Sequence, residues 1–191
     1  MICLQLSKNS LELLKEIYMR LIFISSLPEL EKKSTIKIAM KRFGREKKGL
    51  KIIHFDELDS LIKDFNKIPK EKLEALGDEV YDELEKKLED SISREDIVVI
   101  EGYFTVRSKL GFLPLITEKF FKVYKPNAVV LVETFPDLLS PDKKTVEELR
   151  DQQLINRIYA VRSASIAGSA IKIIRIEKEV SNLLKELDNL I

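Results

Sequence analysis

The side chains best suited to chemistry stand where apolar runs end. Lys32, Lys33, Ser34 and Thr35 follow the run Leu21–Ile24 across a short loop. A lysine beside a hydroxyl residue, set between a strand and a helix, is the arrangement that holds nucleotide phosphates and their magnesium ion. The full motif, G-x-x-x-x-G-K-[ST], also needs two glycines so that backbone N–H groups turn toward the phosphates. Counted from Ser26 without a gap, the glycine positions hold Ser26 and Glu31, followed by Lys32 and Lys33. With one inserted residue, Lys33-Ser34 becomes the lysine–hydroxyl pair and Lys32 takes the second glycine position. Either register puts a side chain where left-handed backbone is needed, at a cost of about 1–2 kcal/mol. Glu29 or Glu31 near a phosphate adds repulsion on the order of a few kcal/mol at ~4 Å, with an effective dielectric near ~20. Lys32 and Lys33 offset part of it.

Glu101 closes the apolar run Ile97–Ile100. A carboxylate there suits a magnesium-bound water, and equally suits an acid that merely ends a strand. Arg107, Arg150 and Arg157 are candidate phosphate clamps, because a planar guanidinium matches phosphate oxygens. Surface ion pairing is the plainer role for the same residues. His54, the sole histidine, reads as a polar residue at a strand end. Ser-His-Asp catalysis would have to use it, and multi-histidine metal sites are excluded.

Composition narrows the class. The chain has 191 residues, 45% of them apolar and 34% charged, which describes one globular domain. A net charge of +1 argues against broad binding to nucleic acid or acidic membrane. Cys3 alone builds no disulfide framework, which fits a reducing, cytoplasmic setting. No apolar run approaches the roughly 18–20 residues that span a bilayer. Residues 1–18 form an N-terminal extension before the domain at 19–191. Met19, directly before the first strand, is an alternative start, and the extension then has no structural meaning.

The elements that must position these groups follow from periodicity. Strands are expected at Leu21–Ile24, Leu50–Phe55, Ile97–Ile100, Ala128–Glu133 and Ile171–Arg175. They are apolar without alternation, and helices separate them, so they predict a parallel sheet covered on both faces. The expected helices run from about Ser34 to Phe43, stopped by Gly44; from Asp56 to Phe65; and from Pro69, with a stripe at Leu73, Leu76, Val80, Leu84 and Leu88. Further helices are expected at Leu115–Phe121, at Thr145–Ala167 closed by Gly168, and at Lys178–Leu190. Tyr103–Pro114 reads as a loop. Ligands of such sheets bind at the carboxyl ends of the strands, so every candidate site lies just after a strand.

Three stretches resemble the archaeal type of adenylate kinase: Lys51–Glu57, Glu101–Pro114 (EGYFTVRSKLGFLP) and Asn156–Ile174 (NRIYAVRSASIAGSAIKII). Lys125-Pro126-Asn127, followed by a strand ending in Glu133, also fits, and the resemblance covers Met19 to the C-terminus. It implies a three-layer α/β fold of the P-loop kinase kind, with about five parallel strands flanked by helices. It further implies phosphoryl transfer between ATP and AMP with Mg²⁺, and often a homotrimer. Arg107 would face nucleotide phosphate. Arg157 would pack near the lid and the transferring phosphate.

The departures from the family gather at the chemistry. The Gly-rich loop is matched by the glycine-free Ser26–Thr35. The AMP-binding arginine falls at an apolar position near Ile62. The aspartate after the third strand is Glu101, followed by Gly102-Tyr103. The lid shrinks to about Ser140–Glu148, without arginine. A kinase so altered is expected to be slow or inactive, because phosphoryl transfer depends on neutralising spread charge. Residual activity would use Lys32 or Lys33 and Ser34 or Thr35 on ATP, Glu101 on magnesium-bound water, and Arg107 and Arg157 as clamps. The alternatives are a non-catalytic homologue that binds a protein or RNA partner, and a slow ATPase whose short lid admits water.

Overall fold

The computed structural model describes residues 20–28, 41–45, 50–54, 80–82, 84–88, 97–108, 111–176 and 181–189. Five parallel strands form one sheet: β1 (Arg20–Ser25), β2 (Leu50–His54), β3 (Ile97–Gly102), β6 (Ala128–Glu133) and β7 (Ala170–Arg175). Their order is β2-β3-β1-β6-β7, so β1 is central, between β3 and β6. Helices cover the sheet, which is the expected α/β architecture of P-loop kinase type.

The missing alternation in β1, β3 and β6 has a direct cause: both of their faces are buried. The edge strand β7 departs from the expectation of a sheet covered on both faces, because Ile171 and Ile173 are exposed. Leu21 and Phe23 join Val98, Ile100, Val129 and Leu131 in a core with Phe104, Phe120 and Phe121. Ile22 and Ile24 join Val99, Val130 and Val132 on the other face, under Phe43, Leu149, Leu183 and Leu187. Phe23 contacts Phe104 and Phe121 edge-on, with ring centroids 5.1 and 5.5 Å apart. Val80, Leu84 and Leu88 of the expected stripe are buried in the first core. Leu73, Leu76 and the expected helix at 56–65 lie outside the described residues.

Three expectations need correction. The stretch Tyr103–Pro114, read as a loop, contains an antiparallel hairpin of β4 (Thr105–Ser108) and β5 (Gly111–Pro114). Gly111 has φ 112, a backbone angle that favours glycine at the turn. The helix expected at Leu115–Phe121 is α1 (Glu118–Tyr124), entered through extended Thr117. Leu115 and Ile116 are buried anchors before it. Gly44 does not stop its helix, because residues 41–45 are helical through Arg45. What Gly44 supplies is closeness: a Cβ there would lie 3.0 Å from Ile52 Cδ1.

The long helix α2 (Lys143–Ala167) begins at Asp142, whose side chain accepts from the Thr145 N–H, and ends at Gly168 with φ 70. From Lys143 onward the expected lid is therefore the first turns of α2. A 25-residue helix is about 37 Å long, whereas a six-residue strand spans about 20 Å. Ala160 and Ala164 pack against the sheet. The preceding turns meet the chain just beyond β3 and β6, through Gln152 and Gln153, at the edge where the chemistry was expected. Helix α3 (Ser181–Asp188) closes the described chain.

Candidate active site

The carboxyl edge is assembled by hydrogen bonds between successive strand ends. Ser25 ends β1, and its Oγ accepts from the Phe104 N–H at 3.0 Å, so β1 fixes the entry to the β4–β5 hairpin. The Ser26 N–H donates to the Gly102 carbonyl at 3.4 Å, extending the pairing of β1 with β3 by one residue. Ser26 is 1% exposed. Glu101 stands beside Ile24 in the register and is equally buried. Lys32, Lys33, Ser34 and Thr35 lie outside the described residues, as does the His54 side chain.

Helix α2 holds this edge with two rows of polar side chains. The first row, Glu148, Gln152 and Asn156, repeats every four residues and so occupies one face of the helix. It grips β4, whose alternate residues Thr105 and Arg107 share a face. The Thr105 hydroxyl donates to Asn156 Oδ1 at 2.6 Å, and Gln152 Nε2 donates to the Thr105 carbonyl at 3.1 Å. Arg107 pairs through both terminal nitrogens with Glu148, NH1 with Oε2 and NH2 with Oε1 at 2.7 Å. The spacings agree: four helical residues rise about 6 Å and two strand residues about 6.6 Å.

The second row, Arg150, Gln153 and Arg157, grips the chain as it leaves β6. Arg157 donates to both oxygens of Glu133, at 2.5 and 2.6 Å. Gln153 Nε2 donates to the Thr134 carbonyl at 2.7 Å. Arg150 NH2 meets Asp137 Oδ2 at 3.0 Å. Hydrogen bonding to Glu133 raises the Arg157 pKa above its ordinary value, so this guanidinium is charged at every working pH. Arg157 also lines an open groove of about 750 Å³ between α1 and α2, with Glu118, Lys122, Ile158 and Val161.

All three candidate phosphate arginines thus reach the carboxyl edge, and each meets a carboxylate there. The surroundings differ. The Glu133 side chain is 2% exposed, whereas those of Glu148 and Asp137 are 25% and 64% exposed. The positioning residues Thr105, Glu133, Glu148, Gln152 and Gln153 were not singled out from the sequence. The available signal was a cluster of amides, at 152, 153 and 156, on a helical face that also carries Val146, Leu149, Ala160 and Ala164.

Among the described residues no group of three or more His, Cys, Asp or Glu could hold a metal ion. Magnesium bound with a nucleotide needs no such cage, because it keeps waters and phosphate oxygens as ligands. A single buried carboxylate at the end of β3 fits that mode. No helix among the described residues is long and apolar enough to cross a membrane.

The strand order, the covered parallel sheet and the arginine-bearing carboxyl edge define an α/β protein of P-loop kinase type. No protein-family model matches the chain. It is similar to curated archaeal adenylate kinases. It is 27% identical to that of Methanoculleus marisnigri over 82% of this chain and 89% of the relative. It is 23% identical to that of Thermococcus onnurineus over 87% of this chain and 94% of the relative. With that of Thermoplasma acidophilum it shares 24% identity over 57% of this chain, and this match spans 65% of the relative's length. These similarities support a nucleoside-monophosphate-kinase-like function.

Proposed function

We propose that this chain is a divergent adenylate-kinase-like protein. It binds adenine nucleotide at the carboxyl edge of its sheet and transfers phosphate between ATP and AMP slowly, if at all. The observation that carries the reading is similarity to archaeal adenylate kinases over most of the chain, together with a five-stranded parallel sheet of the order β2-β3-β1-β6-β7. In this reading Ser26, Lys32, Lys33, Ser34 and Thr35 form a degenerate P-loop around the ATP phosphates. Glu101 holds magnesium through water, and the ion supplies neutralisation of the phosphate charge. Arg107 and Arg157 orient the phosphates, and Ser140–Glu148 serves as a reduced lid.

The arginine partners support weak turnover. Catalysis of this kind rests on positive charge aimed at the transferring group. Here Arg107, Arg150 and Arg157 each face a carboxylate, which lowers the positive field that a nucleotide meets. The same observation favours a second reading, a homologue that binds nucleotide or a protein or RNA partner without turnover. A row of exposed apolar residues on α2, Leu154, Ile158 and Val161 at helical spacing, supports a protein contact, including the homotrimer that the resemblance implies.

ADP formation from ATP and AMP, measured at elevated temperature, separates these readings. Slow, AMP-dependent ADP formation supports the first. Phosphate release from ATP without AMP marks a slow ATPase instead. No turnover by natively folded protein, with ATP or AMP still bound in calorimetry, leaves the binding reading. No heat with either nucleotide at millimolar concentration overturns nucleotide binding in both readings and leaves only the protein or RNA partner.

A further inference from the structure

We propose that Glu148 is a built-in competitor for the anion site at Arg107, so that a nucleotide phosphate engages Arg107 by displacing the Glu148 carboxylate. The inference rests on the nucleotide-binding reading above and assigns a role to a residue outside the phosphate-binding set.

The geometry is that of a substitute ligand. Both terminal nitrogens of Arg107 are taken by the two oxygens of one carboxylate. A phosphate presents the same pair of oxygens at a similar spacing, with more charge. Glu148 therefore occupies Arg107 in the way a phosphate would.

Exposure decides which of the three arginines can exchange partners. The side chains of Arg107 and Glu148 are 56% and 25% exposed, so either group regains water when the pair opens. Arg157 cannot leave so readily, because Glu133 would remain as a buried carboxylate without its cation. Arg150 meets both Asp137 oxygens through one nitrogen and lacks the two-pronged fit.

The polar row on α2 also lets the exchange happen without unseating the hairpin. Arg107–Glu148 is its outermost contact. The inner contacts, Thr105 with Asn156 and with Gln152, are buried. Arg107 can thus swing to a ligand while β4 stays attached. Glu148 then remains beside the incoming anion and opposes it. A neutral glutamine keeps the size, retains one acceptor oxygen, replaces the other with an NH2 donor, and removes the opposition.

The test is calorimetric titration of ADP into the full chain, Glu148→Gln, Arg107→Gln and the double variant, with circular dichroism to confirm folding. Glu148→Gln should bind ADP about fivefold more tightly at low salt, the scale of one exposed charge contact. The gain should shrink as salt is raised. It should vanish in the double variant, since the gain acts through Arg107. Glu148→Ser, which removes the carboxylate by a different route, should reproduce the gain if glutamine perturbs folding. Equal or weaker binding by Glu148→Gln and Glu148→Ser, with Arg107→Gln weakened, overturns the competitor and leaves nucleotide binding intact. A gain that survives in the double variant overturns it as well. If no form binds ADP, the competitor and the nucleotide reading fall together. Binding by Glu148→Gln alone is the strongest support.

Discussion

Arg157 on α2 and Glu133 at the end of β6 form a two-pronged ion pair with one member buried and the other half in water. That asymmetry makes the pair a test of what fixes the overhanging helix. Arg157→Met leaves the Glu133 carboxylate buried without its cation. Loss of one partner of a fully buried pair costs about 3–5 kcal/mol. Water reaches this pair from the arginine side, so about 2–4 kcal/mol is expected here. Replacing both residues, Arg157→Met with Glu133→Leu, should restore most of that stability. Urea unfolding of the two variants checks it, and a double variant no more stable than the single would contradict it.

The Thr105–Asn156 contact tests the other row. Thr105 is fully buried and Asn156 is 1% exposed, so water cannot replace a lost partner. Asn156→Ala strands the Thr105 hydroxyl and should cost about 1–3 kcal/mol. In Thr105→Val with Asn156→Leu no polar group is stranded, and the loss should be smaller than for Asn156→Ala alone. Measured with the singles Thr105→Val and Asn156→Leu to complete the cycle, additive effects would show that the hydrogen bond does not couple the hairpin to the helix.

Much of this arrangement was legible in the sequence, for a physical reason. Runs such as Ile97–Ile100 and Ala128–Val132 are apolar because both of their faces are covered, and that pattern is local. Gly168 likewise marks the end of α2 because its left-handed angle is a local demand. The β4–β5 hairpin was not legible, because its strands are four residues long and pair only with each other. Leu115 and Ile116 signalled burial, and burial alone does not distinguish a helix from the bend before it. The ion pairs were the least legible feature of the candidate site. Arg157 meets Glu133, and Arg107 meets Glu148, only because a long helix overhangs a shorter sheet. No spacing within either segment encodes the partner. Positions 32–35, proposed above for the phosphate loop, lie outside the described residues.

Asp142 carries a pH-dependent prediction. Its Oδ2 accepts from the Thr145 hydroxyl at 2.7 Å and from the Thr145 N–H at 2.8 Å. The hydroxyl contact first, then the backbone one, holds its pKa below the ordinary 3.8. A depressed carboxylate pKa favours the fold above the unfolded value and loses that contribution as pH falls through the lower folded value. Asp142→Ala should therefore melt below the parent at about pH 6. The gap should narrow only when pH drops under about 3.8, the unfolded value. Melting curves across that range check it. A gap independent of pH would show that the cap does not act through its charge.

Gly44 makes the last prediction, about how closely the helical residues 41–45 can approach the sheet. Alanine is favoured over glycine inside a helix by about 1 kcal/mol. At this position the added methyl would lie 3.0 Å from Ile52 Cδ1, tighter than ordinary contact. The two effects oppose each other, so Gly44→Ala alone should change stability by less than about 1 kcal/mol. Ile52→Val removes the Cδ1 atom that crowds the site and alone should cost about 0.5–1.5 kcal/mol. In that background Gly44→Ala should become stabilising by about 1 kcal/mol, because the helical preference is then unopposed. The two substitutions are therefore non-additive, with the double variant more stable than the sum of the singles predicts. Denaturant unfolding of all four proteins measures that coupling. Simple additivity would mean that Ile52 does not set the distance between helix and sheet.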